Sequence, residues 1–281
     1  MIQTRTYING VAADCLDASD RGLLYGDGLF ETMAVRAGRV SSWPRHMARL
    51  LAGCKRLGIP DVDAMQLAQE ADELLAGAGY GVLKLILTRG SGGRGYRVPE
   101  EAAPRRIMQL HPWPDFPPAA GDAGVAVRVC STRLCHSPQL AGIKHLNRLE
   151  QVLARQEWED PQLAEGLMLD VDGRLVEGTM SNVFLVKERM LLTPDLRRCG
   201  VAGIMRSIVL ELAERLALTA RIQPLDVTDL QAADEVFLSN SLFGIWPVTA
   251  IEGRPYRKGP ITARMQQLLQ ADEDEGSVWV P

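Results

Sequence analysis

The chain has 281 residues, of which 46% are hydrophobic and 23% charged, and its formal net charge is -4 at pH 7. A chain of this length and composition can bury a full core as one large domain or two moderate ones. Its lysines and arginines are scattered rather than clustered, so the sequence offers no basic face for a nucleic-acid partner.

The cysteines and the first residues bear on the compartment. The five cysteines form no Cys-x-x-Cys pair and are odd in number, which disfavours a disulfide framework or a zinc ribbon and favours a reducing compartment. The N-terminal segment has no apolar stretch of the secretory type, and no apolar run approaches the roughly 20 residues that a membrane-spanning helix needs. These features predict a cytoplasmic protein without a membrane partner.

The first part of the chain predicts a small α/β domain over residues 1–111. Strand patterns in "RTYING" and "LFETMAVRAGRV" precede a helix with Ser42 as candidate N-cap and Pro44 near its first position. A second helix over "PDVDAMQLAQEADELLAGAG" is followed by two more strand patterns, "YGVLKLILTRG" and "RRIMQLHPW". The proline-rich segment 112–124, in which neither a helix nor a central strand is expected, is predicted to be the interdomain linker.

Residues 125–281 predict a larger mixed α/β domain with more strand than helix. A helix from about Gly203 carries apolar residues at every fourth position, and a terminal helix is expected near 260–271. Another helix is expected from Leu146, because apolar residues recur there at helical spacing, so that Lys144 would lie just before its start. The predicted fold class is therefore α/β (α+β) with two domains.

Common nucleotide and metal motifs are missing from the sequence or stand in the wrong context. "GSGGRG" at 90–95 satisfies G-x-G-x-x-G, but a proline follows where a dinucleotide fold needs its helix. The sequence has no P-loop, no H-E-x-x-H and no G-x-S-x-G, and its four histidines are dispersed. No metal site is expected.

A distributed set of residues points to another cofactor. The sequence has a lysine before a predicted helix, an acid in "VEGTMSN", a glycine-rich helix start in "CGVAGIMR", an arginine on the first helix, and "LSNS" at the end of a strand. Helix N-terminal amides and an arginine bind phosphate, and a desolvated lysine amine forms a Schiff base with an aldehyde. A carboxylate keeps a pyridine nitrogen protonated. The set indicates a site for pyridoxal 5'-phosphate.

The order of these motifs resembles the fold-type IV class of pyridoxal phosphate enzymes, the class IV aminotransferase family, over nearly the whole chain. The motifs that carry the resemblance are "YGDGLFET" (25–32), "HMARL" (46–50), "TRGSGGRGY" (88–96), "IKHLNRLEQ" (143–151), "EGTMSNVF" (177–184), "GVAGIMR" (200–206) and "LSNS" (238–241). Within the class, "RGSGGRGY" and "KHLNRLEQ" are most similar to the 4-amino-4-deoxychorismate lyases, which release p-aminobenzoate and pyruvate in folate biosynthesis.

The resemblance implies a small-molecule substrate and a homodimer with the active site near the subunit interface. Two alternatives stay open. One is a branched-chain or D-amino-acid transaminase of the same fold, which would use the same cofactor residues. The other is a non-catalytic binding protein on this scaffold, against which the presence of the lysine argues.

The resemblance also implies roles for three central residues. Lys144 matches the lysine that binds the cofactor covalently and then moves protons, Glu177 matches the acid that pairs with the pyridine nitrogen, and Arg49 matches the arginine that clamps the phosphate. Without the motifs, these residues would be interpreted as a solvated lysine, a carboxylate at a hairpin edge and an exposed helix arginine.

Further cofactor contacts are implied on the second domain. The backbone amides of Ile204 and Met205 should face the phosphate at a helix N-terminus, where transaminases of the class commonly have a hydroxyl residue in place of Met205. Ser241 matches a position whose hydroxyl supplements these amides, and is otherwise a serine at a strand-end turn. Asn182 either orients the phenolic oxygen of the cofactor or begins a strand.

Candidate substrate residues lie near the N-terminus and on the glycine-rich loop. A substrate with two carboxylates needs cations near the cofactor, and Arg94, Tyr96 and Arg97 on the loop, with Tyr25, are the candidates. A solvated loop is the alternative. Asp27 in "YGDG" is interpreted as a turn residue.

Overall fold

The structure is a computed structural model that describes residues 4–117 and 119–274. The chain divides into two compact units. Among the described residues, the first consists of 4–114 together with Ile143–Asn147, and the second of 115–142 together with 148–274. Each unit combines sheet and helices, so the predicted mixed α/β class is confirmed. The boundary at 112–124 stays a prediction.

A six-stranded antiparallel sheet forms the first unit, with strand order β2-β1-β6-β5-β3-β4. Its strands are β1 (Arg5–Ile8), β2 (Val11–Ala12), β3 (Gly28–Arg36), β4 (Arg39–Val40), β5 (Tyr80–Thr88) and β6 (Arg105–His111), and its helices are α1 (Arg21–Tyr25), α2 (Trp43–Leu57) and α3 (Ala64–Leu75). Along β3, Leu29, Met33 and Val35 alternate onto one buried face. The Leu29 side chain lies against Gly53 of α2, so α2 covers this face.

Helix α2 begins where the sequence predicts, with Ser42 as its N-cap residue. Pro44 lies in the first turn, as expected. Ser42 occupies the N-cap position in the left-handed conformation, with φ of 54°, and its side chain makes no capping hydrogen bond. The predicted N-cap position of Ser42 is therefore confirmed, although its side chain does not cap the helix.

The helix predicted from Leu146 begins later, as α5 (Leu149–Arg155). The residues before it pair with the start of β3: the Phe30 N–H donates to the Lys144 carbonyl and the Leu146 N–H donates to the Gly28 carbonyl, each at 3.0 Å. This long-range pairing overrides the local helical pattern. The apolar residues of that pattern are not all buried by the helix, since Leu149 is 70% exposed.

The second unit contains a ten-stranded mixed sheet, with strand order β12-β11-β10-β14-β15-β7-β8-β9-β13 and β16 paired to β15. The strands are β7 (Val125–Leu134), β8 (Leu163–Asp170), β9 (Arg174–Gly178), β10 (Asn182–Lys187), β11 (Met190–Pro194), β12 (Ala220–Gln223), β13 (Leu225–Asp226), β14 (Glu235–Asn240), β15 (Gly244–Ile251) and β16 (Arg254–Pro255). The helices besides α5 are α4 (Ala120–Ala123), α6 (Ile204–Arg215), α7 (Val227–Ala232) and α8 (Pro260–Asp274). Helix α4 corrects the expectation of no helix in 112–124, since one turn forms beyond the prolines.

Two features relate to the compartment predicted from the sequence. All five cysteines are free thiols. Among the residues described, no helix combines the length and the apolar character needed to cross a bilayer.

Candidate functional site

A buried ionic cluster lies between β3 and α2 of the first unit. Glu31 is 1% exposed on the strand face that also carries Leu29 and Met33. Its Oε1 accepts a hydrogen bond from Arg49 Nε at 2.8 Å, and its Oε2 contacts both Arg49 Nη2 and His46 Nδ1, the latter at 2.6 Å. Arg49, the predicted phosphate arginine, is thus held on two of its nitrogens by one carboxylate.

The electrostatics of this cluster fix its protonation. Burial by itself would raise the pKa of Glu31, but the hydrogen bonds and charges of His46 and Arg49 outweigh it and lower the pKa from 4.5 to about 2. Burial lowers the pKa of His46, against the opposing pull of Glu31. At neutral pH the cluster therefore contains a carboxylate, a guanidinium and a neutral imidazole. The alternation of apolar residues along β3 already places Glu31 on the buried face, a signal that sequence reasoning missed.

Lys144 is held by backbone bonds rather than by a helix. Its carbonyl accepts from Phe30 N–H, and its Nζ lies 4.5 Å from the centroid of the Phe30 ring. The positive charge of Lys144 contributes to lowering the pKa of His46, so the lysine belongs to the same electrostatic neighbourhood as the Glu31 cluster. The predicted Lys144 and Arg49 therefore lie in the same unit, and both act on the pKa of His46.

The second unit positions Glu177 on β9. Its side chain is almost completely buried, and Oε2 accepts a hydrogen bond from the Val201 N–H at 2.8 Å. Gly200 allows this approach, because its φ of +88° favours glycine and a Cβ there would lie 2.7 Å from the Val176 side chain. Glu177 is therefore a buried carboxylate near the end of β9.

The N-terminus of α6 provides uncapped amides. Gly203 is the N-cap and no side chain caps it, so the first-turn N–H groups of Ile204 and Met205 are those that a helix leaves without an intrahelical acceptor. Both side chains are buried in an apolar cluster, so these residues can offer a ligand only their backbone. Asn182 begins β10, as one of its two interpretations predicts, and also donates from Nδ2 to the Val201 carbonyl at 2.9 Å.

The end of β14 places Ser239 beside Asn182 in the sheet register. Ser239 pairs with Asn182 across the β14–β10 ladder. It is 1% exposed, and among the described residues its hydroxyl has no hydrogen-bond partner. Ser241, the residue predicted from the sequence, follows the strand and is half-buried. The motif "LSNS" thus contributes a buried orphan hydroxyl that the sequence did not single out.

Glu165 on β8 holds the turn that follows β9. Its Oε1 accepts from the Gly166 N–H at 2.9 Å, from the Thr179 N–H at 3.0 Å and from the Thr179 hydroxyl. Its Oε2 accepts from the Met180 N–H at 3.1 Å and from the Ser181 hydroxyl at 2.8 Å. Glu165 is 1% exposed and was not predicted, because one acid in a strand pattern carries no periodic signal.

The glycine-rich loop is organised around Arg21, which the sequence also did not reveal. This side chain is buried and donates to the carbonyls of Gly95, Tyr96 and Arg97. Tyr25, a predicted substrate residue, packs edge-to-face on Tyr96 with centroids 5.4 Å apart, and its hydroxyl accepts from Gly95 N–H.

The predicted cations of this loop point away from the core. Arg94 is exposed, and Arg97, 86% exposed, pairs with Glu100. Asp27 accepts hydrogen bonds from Arg21 and from Arg89 at 2.8 to 3.0 Å. The simple turn interpretation of Asp27 is therefore incomplete, since the residue also neutralises two buried arginines.

A cluster of possible metal ligands in the second unit is already satisfied by protein groups. His136 lies 2.8 Å from Asp170 Oδ2, while Asp170 Oδ1 accepts from the backbone of Asp172 and of Arg174. Asp172 is paired with Arg198. We assign no metal to this cluster.

Comparison with known proteins places this architecture. The family model for amino-transferase class IV matches residues 28–251. The chain is similar to the crystal structure of 4-amino-4-deoxychorismate lyase from Pseudomonas aeruginosa, with 52% identity, a TM-score of 0.93 and coverage of 96% of this chain and 99% of that one. It is 36% identical to aminodeoxychorismate lyase of Vibrio harveyi over 94% of this chain and 98% of the relative. It is also 31% identical to a putative branched-chain-amino-acid aminotransferase of Methanocaldococcus jannaschii, over 98% and 97%. The chain belongs to the class IV aminotransferase family.

Proposed function

We propose that the protein is a pyridoxal phosphate-dependent lyase that converts 4-amino-4-deoxychorismate to p-aminobenzoate and pyruvate. The observation that carries the proposal is the 52% identity with the Pseudomonas aeruginosa lyase over nearly the whole of both chains. The putative aminotransferase relative is less similar, at 31%.

The residues fit pyridoxal 5'-phosphate in their chemistry. Arg49, fixed by Glu31, supplies a cation for the phosphate, and the uncapped amides of Ile204 and Met205 supply neutral donors. The buried carboxylate of Glu177 suits a protonated pyridine nitrogen. When bound, the cofactor supplies an aldehyde carbon for an amine and an electron-accepting ring.

The position of Lys144 in the chain supports assigning Lys144 and Glu177 to one cofactor. Lys144 follows Gly142 by two residues in the sequence. Gly142 donates to the Gly200 carbonyl and accepts from the Ala202 N–H, on either side of the Val201 N–H that binds Glu177.

The proposed reaction assigns proton handling to Lys144. Its Nζ would remove the proton from the substrate carbon that bears the amine, and Glu177 would hold a proton on the ring nitrogen of the bound cofactor, which would make that ring a better electron acceptor. The electron pair left by this proton would break the bond from the neighbouring carbon to the enolpyruvyl oxygen, and the carbocycle would become aromatic as p-aminobenzoate. Lys144 would return the proton to the departing enolpyruvate, which becomes pyruvate. Aromatisation makes the overall step effectively irreversible.

The substrate contacts belong to the same proposal. We assign Tyr25 and the exposed side chains of Arg94, Tyr96 and Arg97 to the approach of the substrate carboxylates, and Ser241 and Asn182 to the surroundings of the cofactor. Arg94→Gln should raise the KM for aminodeoxychorismate without changing cofactor affinity, whereas an unchanged KM would assign this arginine to a solvated loop.

A product assay tests the lyase against its main alternative. Cofactor-loaded protein is mixed with aminodeoxychorismate and p-aminobenzoate fluorescence is followed, beside Lys144→Ala and a no-enzyme control. Catalytic appearance of fluorescence with an equal yield of pyruvate supports the lyase. Cofactor binding without this product, together with amino-group transfer from branched-chain or D-amino acids to a keto acid, would replace the lyase by a transaminase.

We also propose a cytoplasmic homodimer. The free cysteines support a reducing compartment. Leu149, Val152 and Leu153, spaced three and four residues apart on α5, are each at least 47% exposed, and an apolar helix face of this kind is typical of an interface. Sedimentation equilibrium should give a dimer, and a monomer at working concentration would contradict this assignment.

A further inference from the structure

The Glu31–His46–Arg49 cluster pairs the predicted phosphate arginine with a buried carboxylate, which the charge of a phosphate site does not require. Glu31 sits among apolar side chains of β3 and is 1% exposed. A carboxylate opposite a phosphate-binding guanidinium weakens the attraction between that guanidinium and a phosphate, since it already neutralises its charge. If charge were its only contribution, Glu31 would therefore oppose the binding of the cofactor.

Stability alone does not require an ionic cluster at this place. An ion pair removed from water recovers its desolvation cost only with excellent geometry, and apolar residues of similar volume often stabilise a core as well or better. His46 is completely buried, and its Nε2 has no hydrogen-bond partner among the residues described. Because Nδ1 donates to the ionised Glu31, Nε2 is an acceptor, and a buried acceptor without a partner costs free energy.

The geometry of the contacts suggests a different role. Glu31 binds Arg49 through both carboxylate oxygens, which fixes the plane and rotation of the guanidinium. The edge formed by Nε and Nη2 is thereby turned to Glu31, and a phosphate would approach from the opposite side of the guanidinium. His46, one turn before Arg49 on α2, binds the same Oε2 and limits the movement of the carboxylate.

We propose that Glu31, supported by His46, is a positioning residue that orients Arg49 toward the cofactor phosphate. The inference rests on the proposed cofactor site. It predicts that the long Arg49 side chain loses its conformational entropy during folding, so that cofactor binding does not have to order it. It also predicts that the carboxylate strengthens phosphate binding in spite of its negative charge.

Titration of apo-protein with pyridoxal phosphate and with pyridoxal, which lacks the phosphate, separates this role from others. The dissociation constants are measured from the absorption of the bound cofactor for wild type, Glu31→Gln, Glu31→Asp and the control Glu73→Gln, an exposed acid on α3. Glu31→Asp keeps the negative charge but withdraws the carboxylate by one methylene, so it breaks the two-point contact with Arg49 without removing the charge, and it provides a second test if Glu31→Gln does not fold.

Both Glu31 variants should bind pyridoxal phosphate about tenfold more weakly or worse, as expected for the loss of a well-placed bond between charged groups. Their affinity for pyridoxal should stay within about twofold of wild type, and Glu73→Gln should match wild type for both ligands. His46→Gln should show a smaller effect with the same selectivity.

Three results would overturn the inference. Tighter or unchanged pyridoxal phosphate binding by Glu31→Gln and Glu31→Asp would show that the carboxylate does not position Arg49. Equal weakening for both ligands would assign Glu31 to general stability. A wild-type protein that binds neither ligand would remove the cofactor site itself and the inference with it, whereas the first two results leave the proposed function standing.

Discussion

Replacing Glu165 by Gln tests whether a buried carboxylate holds the turn that follows β9. Glu165 accepts five hydrogen bonds, three on Oε1 and two on Oε2. In the glutamine variant, the amide oxygen can replace Oε1 and accept from its three donors. The Ser181 hydroxyl can rotate to accept a hydrogen bond from the new amide N–H. The Met180 N–H then faces an N–H group and loses its acceptor.

The free-energy cost follows from these contacts. One orphaned backbone donor costs about 1–3 kcal/mol, and the surviving bonds lose their charged acceptor, which weakens each by roughly 1 kcal/mol. The glutamine no longer buries a charge, which offsets part of this loss. We expect the free energy of unfolding to fall by about 2–4 kcal/mol, a large share of the 5–15 kcal/mol typical of folded proteins.

Urea unfolding of the apo-protein measures this change. Glu214→Gln on the exposed side of α6 is the matched control and should stay within about 0.5 kcal/mol of wild type. The urea midpoint of Glu165→Gln should fall with little change in m. A Glu165→Gln protein as stable as the control would refute the claim that these five donors depend on the carboxylate.

Three further predictions follow from individual side chains. Glu31, whose pKa is about 2 instead of 4.5, contributes about 3 kcal/mol to the free energy of unfolding above pH 4.5, and about 2 kcal/mol of this should be lost by pH 3. Because the folded-state pKa is the lower one, the difference in stability between wild type and Glu31→Gln should narrow on acidification. A difference that stays constant with pH would contradict the assignment. Gly90→Ala should lower the free energy of unfolding by about 2–4 kcal/mol, since φ is +90° and a Cβ would lie 2.0 Å from the Ala103 carbonyl oxygen. Gly93 has open space around it, so Gly93→Ala should leave the stability nearly unchanged. Equal urea midpoints for the two variants would contradict this explanation. A thiol reagent should modify the exposed Cys15 and Cys135 in the native protein. The buried Cys54, Cys130 and Cys199 should react only after unfolding, because burial raises the pKa of these thiols to about 11 or 12.

Local patterns predicted much of the fold. The strand pattern in "LFETMAVRAGRV" and the helix start at Pro44 correspond to β3, β4 and α2 in the structure, because these signals depend only on neighbouring residues. The helix start before α5 failed for the opposite reason. Residues 144–146 are extended by bonds to β3, more than 100 positions away in the sequence, and no local pattern reveals that partner.

The site residues show the same division between local and distant information. Lys144, Glu177 and Arg49 were found from motifs, and their cofactor roles stay predictions. The residues that hold them were not found: Glu31 binds Arg49 and Glu165 binds the turn after β9. Such supporting residues are single polar side chains whose donors and acceptors come together only in three dimensions, and motif spacing cannot reveal them.

Reduction of the cofactor-loaded protein with borohydride tests the central assignment most directly. Borohydride converts a lysine-bound cofactor into a stable secondary amine, which also blocks tryptic cleavage at that lysine. We predict one modified tryptic peptide spanning residues 134–148, uncut at Lys144, in wild type and none in Lys144→Ala. Modification at a different lysine, or an unmodified protein that still shows the absorption of bound cofactor, would contradict the account.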